Sequence, residues 1–358
     1  MEVGLLMVFQ NFMSQLSDTE SYRRDLAMAD LAEPLGFDCI SAAEHHFFSY
    51  AMTPDNLQFL SWVAGRTHRI KLMPAAVILP WHDPLKVVEK MILLDHLSNG
   101  RAMLGIGRGL AKREYERIGI DMNEARDRFD EAADLIVRAL ETGIVEGKGK
   151  YYPHAPTEIR PGPRGSFRDR FNCVAMSSDS VPVCARLGGK MMSFAQRPWE
   201  QMVPQIQTYQ SLFREHHGRQ APDFMCVESM CCDESADRVE AMANEYIGNY
   251  YVTVMDHYDM AGEHFRALKG YGDYASHSEL VRATGLEKAA DAYVQANVWG
   301  TPNQILEKLE ARRKIIGDFD MMVQVGFGGM SGRDAENSMR LFAQKVIPEL
   351  KSWKRMAA

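Results

Sequence analysis

The sequence predicts one TIM (β/α)8 barrel over residues 1–358, with a long insertion between its seventh and eighth strands. Short apolar runs rich in strand-forming residues alternate with longer helical patterns, which is typical of parallel sheets. Runs such as AAVIL are apolar throughout, as expected for strands buried on both faces. The first strand leads into QNFMSQLSD, which lacks the glycine-rich turn of a doubly wound dinucleotide-binding sheet. Eight repeats therefore favour a closed barrel.

The elements follow one another in a regular order along the chain. The predicted strands are residues 3–9, 37–41, 70–79, 101–107, 171–176, 190–195, 224–232 and 319–327. The predicted helices cover residues 18–35, 54–66, 84–97, 124–141, 179–187, 198–217 and 333–350, with a further helical stretch after the seventh strand. Thr301 and Pro302 predict the N-cap and first residue of another helix, with no direct role in chemistry.

Two connections are longer than the barrel requires. Residues 249–281 lie in the gap between the seventh and eighth strands, and we expect helices there because long structureless loops are rare in compact domains. The position predicts a lid-like insertion, near residues 249–298, over the carboxyl face where barrel enzymes hold their chemistry. The other connection, 142–170, is rich in Gly, Pro and Arg. Neither is expected to form a separate domain.

The composition indicates a cytoplasmic enzyme that acts on small molecules. Apolar residues make up 46% of the chain, and its net charge of −7 offers no broad attraction for nucleic acid or an anionic membrane. The N-terminal MEVGLLMVFQ has no basic residue before a short apolar run, so we expect neither a signal peptide nor a membrane span. The six cysteines contain no C-x-x-C pair, so we expect neither a zinc site nor a disulfide framework.

The segment AEHHF places Glu44, His45 and His46 just after the second strand, on the catalytic rim of the barrel. Consecutive residues of an extended chain point in opposite directions, so we do not expect His45 and His46 to hold a metal ion together. The strand position fits two interpretations equally: a single imidazole that faces the pocket, or an imidazole that only hydrogen-bonds a carboxylate such as Glu44.

Two features point to a phosphate-bearing ligand. Arg108 lies in GIGRGL after the fourth strand, where it can bind a phosphate or pair with an acid such as Glu114. Ser177, Ser178 and Ser180 precede a helix, where they can bind an anion or simply cap the helix. The fourth and fifth strands are neighbours in a barrel, so both features can converge on one phosphate. At the third strand, the small Ala75 and Ala76 leave room for a flat ring, although Ala is also common in packed cores.

Together these motifs resemble the bacterial luciferase-like flavin monooxygenases, especially the alpha-type luciferase subunit. The similarity runs nearly end to end, in the order and spacing of that family. It includes GFDCISAAEHHF, AAVILPWHDP, LLDHLSNGRAMLGIGRGL, GIDMNEARDRFDE, VAMSSDS, VWGTPNQILEKL and SMRLFAQKVIPEL. The resemblance implies a TIM barrel that takes reduced FMN from a separate flavin reductase and reacts with O₂ to form a flavin C4a-peroxide. This species would oxygenate a small apolar substrate such as an aldehyde or ketone. The protein would form a homodimer, with a monomer or a heteromeric pair as the alternatives.

The resemblance also assigns roles to individual residues. His45 matches the catalytic histidine, and Glu44 is expected to orient its imidazole or bind a neighbouring helix. Ala75 and Ala76 match a non-proline cis peptide beside the flavin ring. The other cofactor-binding positions of the family are matched here by Arg108, Met176, Ser177 and Ser180. Met176 stands where the luciferase subunit has a glutamate, so a backbone contact is retained. Gly107 replaces a reactive cysteine, which puts light emission in question but not oxygenation.

Two other functions fit the same fold. A deazaflavin-dependent oxidoreductase would transfer hydride in place of activating oxygen. A flavin-binding protein without turnover would keep the barrel, but the AEHHF segment and the long insertion argue against it.

Overall fold

The barrel is a ring of parallel strands, which a computed structural model describes within residues 1–356. The strands are β1 Val3–Met7, β2 Cys39–Ala42, β3 Lys71–Pro74, β4 Val77–Ile78, β5 Leu104–Gly107, β6 Ile144–Gly147, β7 His154–Glu158, β8 Phe171–Val174, β9 Lys190–Phe194, β10 Phe224–Cys232, β11 Val298–Gly300 and β12 Phe319–Gln324. The order around the ring is β3-β2-β1-β12-β10-β9-β8-β5-β4. Only the cis-linked Ala75 and Ala76 separate β3 from β4, so these are two parts of one barrel strand and the ring has eight positions. The predicted TIM barrel is confirmed.

Helices cover the outside of the ring and its carboxyl face. They are α1 Asp18–Ala32, α2 Asn56–Ala64, α3 Pro84–Leu97, α4 Lys112–Ile118, α5 Ala125–Thr142, α6 Ser180–Leu187, α7 Val203–His217, α8 Ala236–Met242, α9 Gly248–His257, α10 Gly272–Thr284, α11 Leu286–Ala296, α12 Pro302–Ile316, α13 Gly332–Lys345 and α14 Ile347–Ser352. The predicted last helix is in fact two helices, α13 and α14. Pro348 lies in the first turn of α14, and its missing N–H interrupts the helical hydrogen-bond pattern there.

Several elements were not predicted from the sequence. The connection 142–170 contains an antiparallel hairpin, β6 and β7, outside the barrel. Helix α4 follows β5, and β11 pairs with the carboxyl end of β10. The expected helices of the insertion are present as α9 and α10, and α11 follows them. Thr301 caps α12 as predicted, with Gln304 completing a capping box.

The interior of the barrel below the site is apolar and rich in sulfur. Its buried side chains are Leu6, Cys39, Met73, Ala75, Met103, Met192, Met225, Val227 and Met322. Gln324 is in register with both Leu6 and Ser229. Because side chains alternate along a strand, Gln324 faces the same interior as Met322 but lies one layer nearer the carboxyl ends. Among residues 1–356, no helix is long and apolar enough to cross a bilayer.

Candidate active site

One cavity opens at the carboxyl ends of the barrel strands. It encloses about 1210 Å³ of empty space, including its mouth. The sequence-predicted residues that line it are Glu44, His45, Ala75, Ala76, Arg108, Met176 and Ser180. Ser177 lies directly behind them, with its Oγ 2.9 Å from Oγ of Ser180. The barrel therefore brings the imidazole that follows β2 and the guanidinium that follows β5 into the same cavity.

The imidazole of His45 is held by Glu114, which comes from α4. Nδ1 of His45 lies 3.3 and 3.2 Å from the two Glu114 carboxylate oxygens, and the His46 backbone N–H donates to the same group at 2.5 Å. On the other side of the ring, Nε2 of His45 lies 3.1 Å from the Tyr258 hydroxyl. Burial acts to raise the pKa of Glu114, but the His45 charge, the His45 hydrogen bond and the nearby His257 imidazole outweigh it and lower that pKa well below its usual range.

The Glu44 carboxylate is hydrogen-bonded to groups other than the His45 imidazole, which corrects the expectation that it orients this imidazole. Its carboxylate accepts the Ile78 backbone N–H at 2.9 Å and lies 2.6 Å from Nε2 of His82 and 3.2 Å from Nε2 of His46. Burial acts to raise the pKa of Glu44, but these hydrogen bonds and the His82 charge lower it overall. Glu44 thus ties the end of β2 to the chain that leaves β4, and Glu114 is the acid beside His45.

A second buried imidazole completes this cluster. Nε2 of His257 lies 3.5 Å from a Glu114 oxygen, beyond hydrogen-bond geometry, and neither ring nitrogen has a partner among the described residues. Burial lowers the pKa of His257 to about 4. Donor atoms of His45, Glu114 and His257 all lie within 4.8 Å of one another, so these three side chains are the set in residues 1–356 that could hold a metal ion. The Glu114 carboxylate already receives hydrogen bonds from the backbone and from His45.

Aromatic side chains surround the two imidazoles. The Tyr50 ring stacks on His257 with centroids 4.2 Å apart, and its hydroxyl lies 3.2 Å from the Tyr250 hydroxyl. Tyr50, Tyr250 and Tyr258 all line the cavity, and burial raises the pKa of each phenol well above its usual range. These phenols are therefore neutral groups that can donate or accept hydrogen bonds.

The opposite end of the cavity is positively charged. Arg108 is buried, its Nη1 has no hydrogen-bond partner among the described residues, and its guanidinium packs 3.9 Å from the centre of the Tyr271 ring. The alternative pairing of Arg108 with Glu114 is wrong, because Glu114 binds His45. Gly109 has a left-handed φ of 82°, and a Cβ there would lie 2.7 Å from the Ile78 side chain. Glycine therefore lets the chain turn tightly after Arg108.

Sequence reasoning missed a second arginine at this end, Arg126 of α5. It lies in the segment GIDMNEARDRFDE, which contributes to the family resemblance but gave no predicted role for Arg126. Its Nη2 donates to Ser180 Oγ at 3.1 Å, and burial together with the nearby Arg108 charge lowers its pKa. Arg108, Arg126 and the Ser177–Ser180 pair form a cationic, hydroxyl-bearing group at the start of α6. Such a group can bind a phosphate.

A short segment of the insertion, Lys269–Asp273, covers this cationic group. Lys269 pairs with Asp127 at 2.7 Å, and the Tyr271 hydroxyl donates to the Gly109 carbonyl at 3.1 Å. The Asp273 carboxylate accepts the Ser178 backbone N–H at 2.7 Å and lies 3.2 Å from the Ser178 hydroxyl. The insertion therefore contacts both the loop after β5 and the start of α6.

The remaining predicted residues lie between the two ends. The peptide between Ala75 and Ala76 is cis, as the resemblance implied, and both residues are buried on the cavity wall. Sδ of Met176 accepts from Ser193 Oγ at 3.0 Å and from the Phe194 N–H at 3.1 Å, so its side chain is fixed beside β9. A Cβ on Gly107 would lie 3.3 Å from the Ala76 Cβ, which keeps this wall flat.

Known proteins are similar to this chain over most of its length. A sequence model of the luciferase-like monooxygenases matches residues 1–318. The chain belongs to this family. Among its luciferase-like relatives, the alkanal monooxygenase alpha chain of Photobacterium leiognathi is 26% identical over 346 residues, which cover 94% of this chain and 95% of the relative.

Solved structures share the fold of this luciferase-like chain. The oxygenating constituent of 3,6-diketocamphane monooxygenase from Pseudomonas putida, a type II Baeyer-Villiger monooxygenase solved in complex with FMN, has a TM-score of 0.76 at 19% identity and 98% coverage of both chains. An F420-dependent secondary alcohol dehydrogenase has a TM-score of 0.70 at 14% identity, with 96% of this chain and 98% of that chain covered. The fold thus occurs with more than one redox cofactor.

Proposed function

We propose that this protein is the oxygenating component of a two-component flavin-dependent monooxygenase. It uses reduced FMN from a separate reductase and O₂ to oxygenate a small apolar substrate such as an aldehyde or ketone. The observation that carries the proposal is the buried Arg108 guanidinium, which lines the same cavity as His45 and whose Nη1 has no hydrogen-bond partner among the described residues. Bound reduced flavin would supply the electrons that activate O₂.

The cationic group formed by Arg108, Arg126, Ser177 and Ser180 would bind the FMN phosphate. An unpaired buried guanidinium N–H is costly, and a phosphate oxygen would satisfy it through a charge-assisted hydrogen bond. Ala75, Ala76 and Met176 line the cavity beside this group, where the flat wall suits a ring system. This arrangement supports a phosphorylated flavin in preference to one without phosphate.

His45 would be the catalytic residue, and Glu114 a positioning residue that acts through it. Because the Glu114 carboxylate is ionised, it accepts a hydrogen bond from the Nδ1–H of His45 and fixes the imidazole tautomer. Nε2 then carries no proton in the neutral ring. It accepts a hydrogen bond from the Tyr258 hydroxyl, and it can take a proton from a group bound in the cavity and return it. Glu44 would act only by holding the rim in place, through the Ile78 backbone and His82.

The insertion near residues 249–298 would act as a lid that excludes water. The cavity is covered by Tyr250 of α9, by Tyr258 directly after α9 and by Tyr293 of α11. The Lys269–Asp273 segment lies over the cationic end. Exclusion of water favours oxygen transfer to substrate over release of hydrogen peroxide.

A homodimer is the expected assembly. The half-exposed Leu93 and Leu97 on α3 offer it an apolar surface, and sedimentation of a Leu93→Glu/Leu97→Glu variant would test this.

Anaerobic titration with reduced FMN and with reduced deazaflavin tests the cofactor assignment. We expect reduced FMN to bind at least tenfold more tightly. Turnover with ¹⁸O₂, a flavin reductase and a panel of aldehydes and ketones should place ¹⁸O in the product. Tighter binding of the deazaflavin, or electron transfer to substrate without ¹⁸O, would favour the hydride-transfer alternative. Flavin binding without any substrate-dependent oxygen incorporation would favour a non-catalytic flavin-binding protein.

A further inference from the structure

A polar side chain lies in the otherwise apolar floor of the cavity. Gln324 is the last residue of β12, it is 1% exposed, and it lines the cavity beside Leu6. Its Nε2 donates to Ser229 Oγ at 2.7 Å. Its Oε1 is buried and has no hydrogen-bond partner among the described residues. The protein thus keeps one end of a buried carboxamide unsatisfied in a side chain that lines its cavity.

The surroundings do not explain this carboxamide as a packing residue. The layer directly below contains Met322, Val227 and Met192, so a methionine or leucine at position 324 would continue the apolar core. Buried polar groups in folded proteins nearly always have partners, and an exception in a cavity wall indicates a partner that the chain itself does not supply. A ligand bound in the cavity is a natural partner for this amide oxygen, because the Gln324 side chain forms part of the cavity wall.

The location of Gln324 separates it from the cationic end. In the ring order, β12 lies four positions from β5 in either direction, so Gln324 and the residues that follow β5 are on opposite sides of the barrel. Tyr250 lies in the roof, close to Gln324. Burial raises the pKa of Tyr250, and the nearby Gln324 amide opposes that rise. Tyr250 is also within 3.2 Å of the Tyr50 hydroxyl. The half of the cavity away from Arg108 is therefore bordered by the Gln324 amide below and by the phenols of Tyr50 and Tyr250 above.

We propose that this half of the cavity binds a carbonyl substrate with a second oxygen function, a hydroxyl that donates to Oε1 of Gln324. The inference rests on the proposed function and narrows its substrate class to hydroxylated ketones and aldehydes. A simple alkanal has only one polar group, which is the reacting carbonyl, so it would leave the Gln324 amide unsatisfied. A site built to hydrogen-bond a hydroxyl rejects the analogue that lacks it, whereas an apolar pocket discriminates little between the two.

Matched pairs of compounds test this on the protein loaded with oxidised FMN. The pairs are 2-tetralone with 6-hydroxy-2-tetralone, cyclohexanone with 4-hydroxycyclohexanone, and decanal with 10-hydroxydecanal. Dissociation constants come from equilibrium dialysis, and turnover with ¹⁸O₂ is measured separately. We expect the hydroxylated member of at least one pair to bind at least about tenfold more tightly. In Gln324→Met, whose new side chain matches the floor below, that preference should disappear while the parent ketone binds as before.

Gln196→Met is the matched control, because Gln196 also lines the cavity but is exposed at its mouth. This variant should keep the preference for the hydroxylated compound. Equal binding of both members in every pair by the wild-type protein would overturn the inference without the need for any variant, and so would an unchanged preference in Gln324→Met. Absence of ¹⁸O incorporation despite selective binding would count against the proposed function alone.

Discussion

The Glu114 carboxylate lies 3.2 Å from Nδ1 of His45, although the two residues are 69 positions apart in the chain. Glu114 is fully buried, and it also accepts the backbone N–H of His46 at 2.5 Å. The pair connects α4 to the rim that follows β2. Its geometry fixes which imidazole nitrogen faces the cavity, and so it determines where His45 can exchange a proton.

Glu114→Gln should lower catalysis more than it lowers substrate binding. Glutamine retains a carbonyl acceptor near Nδ1 but removes the negative charge, so the protonated imidazole loses its stabilising partner. We expect kcat to fall roughly 100-fold, the scale of general acid–base catalysis, with little change in KM. Product formed per O₂ consumed should fall as well, because the site would release more hydrogen peroxide.

Glu116→Gln on the same helix is the control, since Glu116 is exposed and pairs with Lys112 along the helix. It should behave as the wild-type protein does. A merely structural role for Glu114 would reduce thermal stability while the coupling of O₂ to product and the pH profile of kcat stayed unchanged. That result would remove Glu114 from the proposed mechanism.

Arg108→Met should weaken FMN binding by about 10- to 100-fold, the scale of one or two charge-assisted hydrogen bonds. Riboflavin has no phosphate, so its affinity should change little in the same variant. Equilibrium dialysis with both flavins measures this difference directly. Arg113→Met controls for the loss of a cation near the site, because Arg113 binds the Asp256 carbonyl of the insertion. Equal losses for FMN and riboflavin would contradict a phosphate-binding role.

The sequence predicted the site residues that directly follow a barrel strand. It did not predict the site residues that lie on the surrounding helices. His45, Arg108 and Ser180 each follow a barrel strand, and parallel strands bring their carboxyl ends to one face. Glu114 and Arg126 lie on helices, and their orientation depends on packing that strand periodicity does not describe. His257 and Gln324 gave no signal, because a lone histidine in a helix and a glutamine at a strand end are ordinary residues until their neighbours are known.

Asp273→Asn should loosen the Lys269–Asp273 segment over the cationic end. The aspartate carboxylate bonds both the backbone N–H and the hydroxyl of Ser178, and a neutral amide would hold them less strongly. Limited trypsin digestion at Arg266 and Lys269 should become about tenfold faster in the flavin-free variant, equivalent to about 1.4 kcal/mol of easier local opening. Asp291→Asn on the exposed face of α11 should leave the rate unchanged. If trypsin digests the Asp273→Asn variant at the wild-type rate, Asp273 does not hold the segment in place.

His257 should make the protein sensitive to mild acid. Burial lowers its pKa from 6.5 to about 4 in the folded protein, whereas the unfolded chain binds the proton near 6.5. The unfolded state therefore holds more protons as the pH falls from 6.5 towards 4, and acid favours unfolding over that interval. Lowering the pH from 7 to 5 should cost about 2 kcal/mol through this group alone.

His257→Asn cannot titrate, so the variant should lose about 2 kcal/mol less than the wild type between pH 7 and pH 5. Urea unfolding followed by far-ultraviolet circular dichroism at both pH values gives the two free energies of unfolding. His68→Asn replaces an exposed histidine and should show the full wild-type loss. The test compares the loss of stability between the two pH values, because any change in packing against Tyr50 affects both values equally and cancels. An identical pH dependence in His257→Asn and the wild type would mean that His257 takes up its proton in the folded protein as readily as in the unfolded chain.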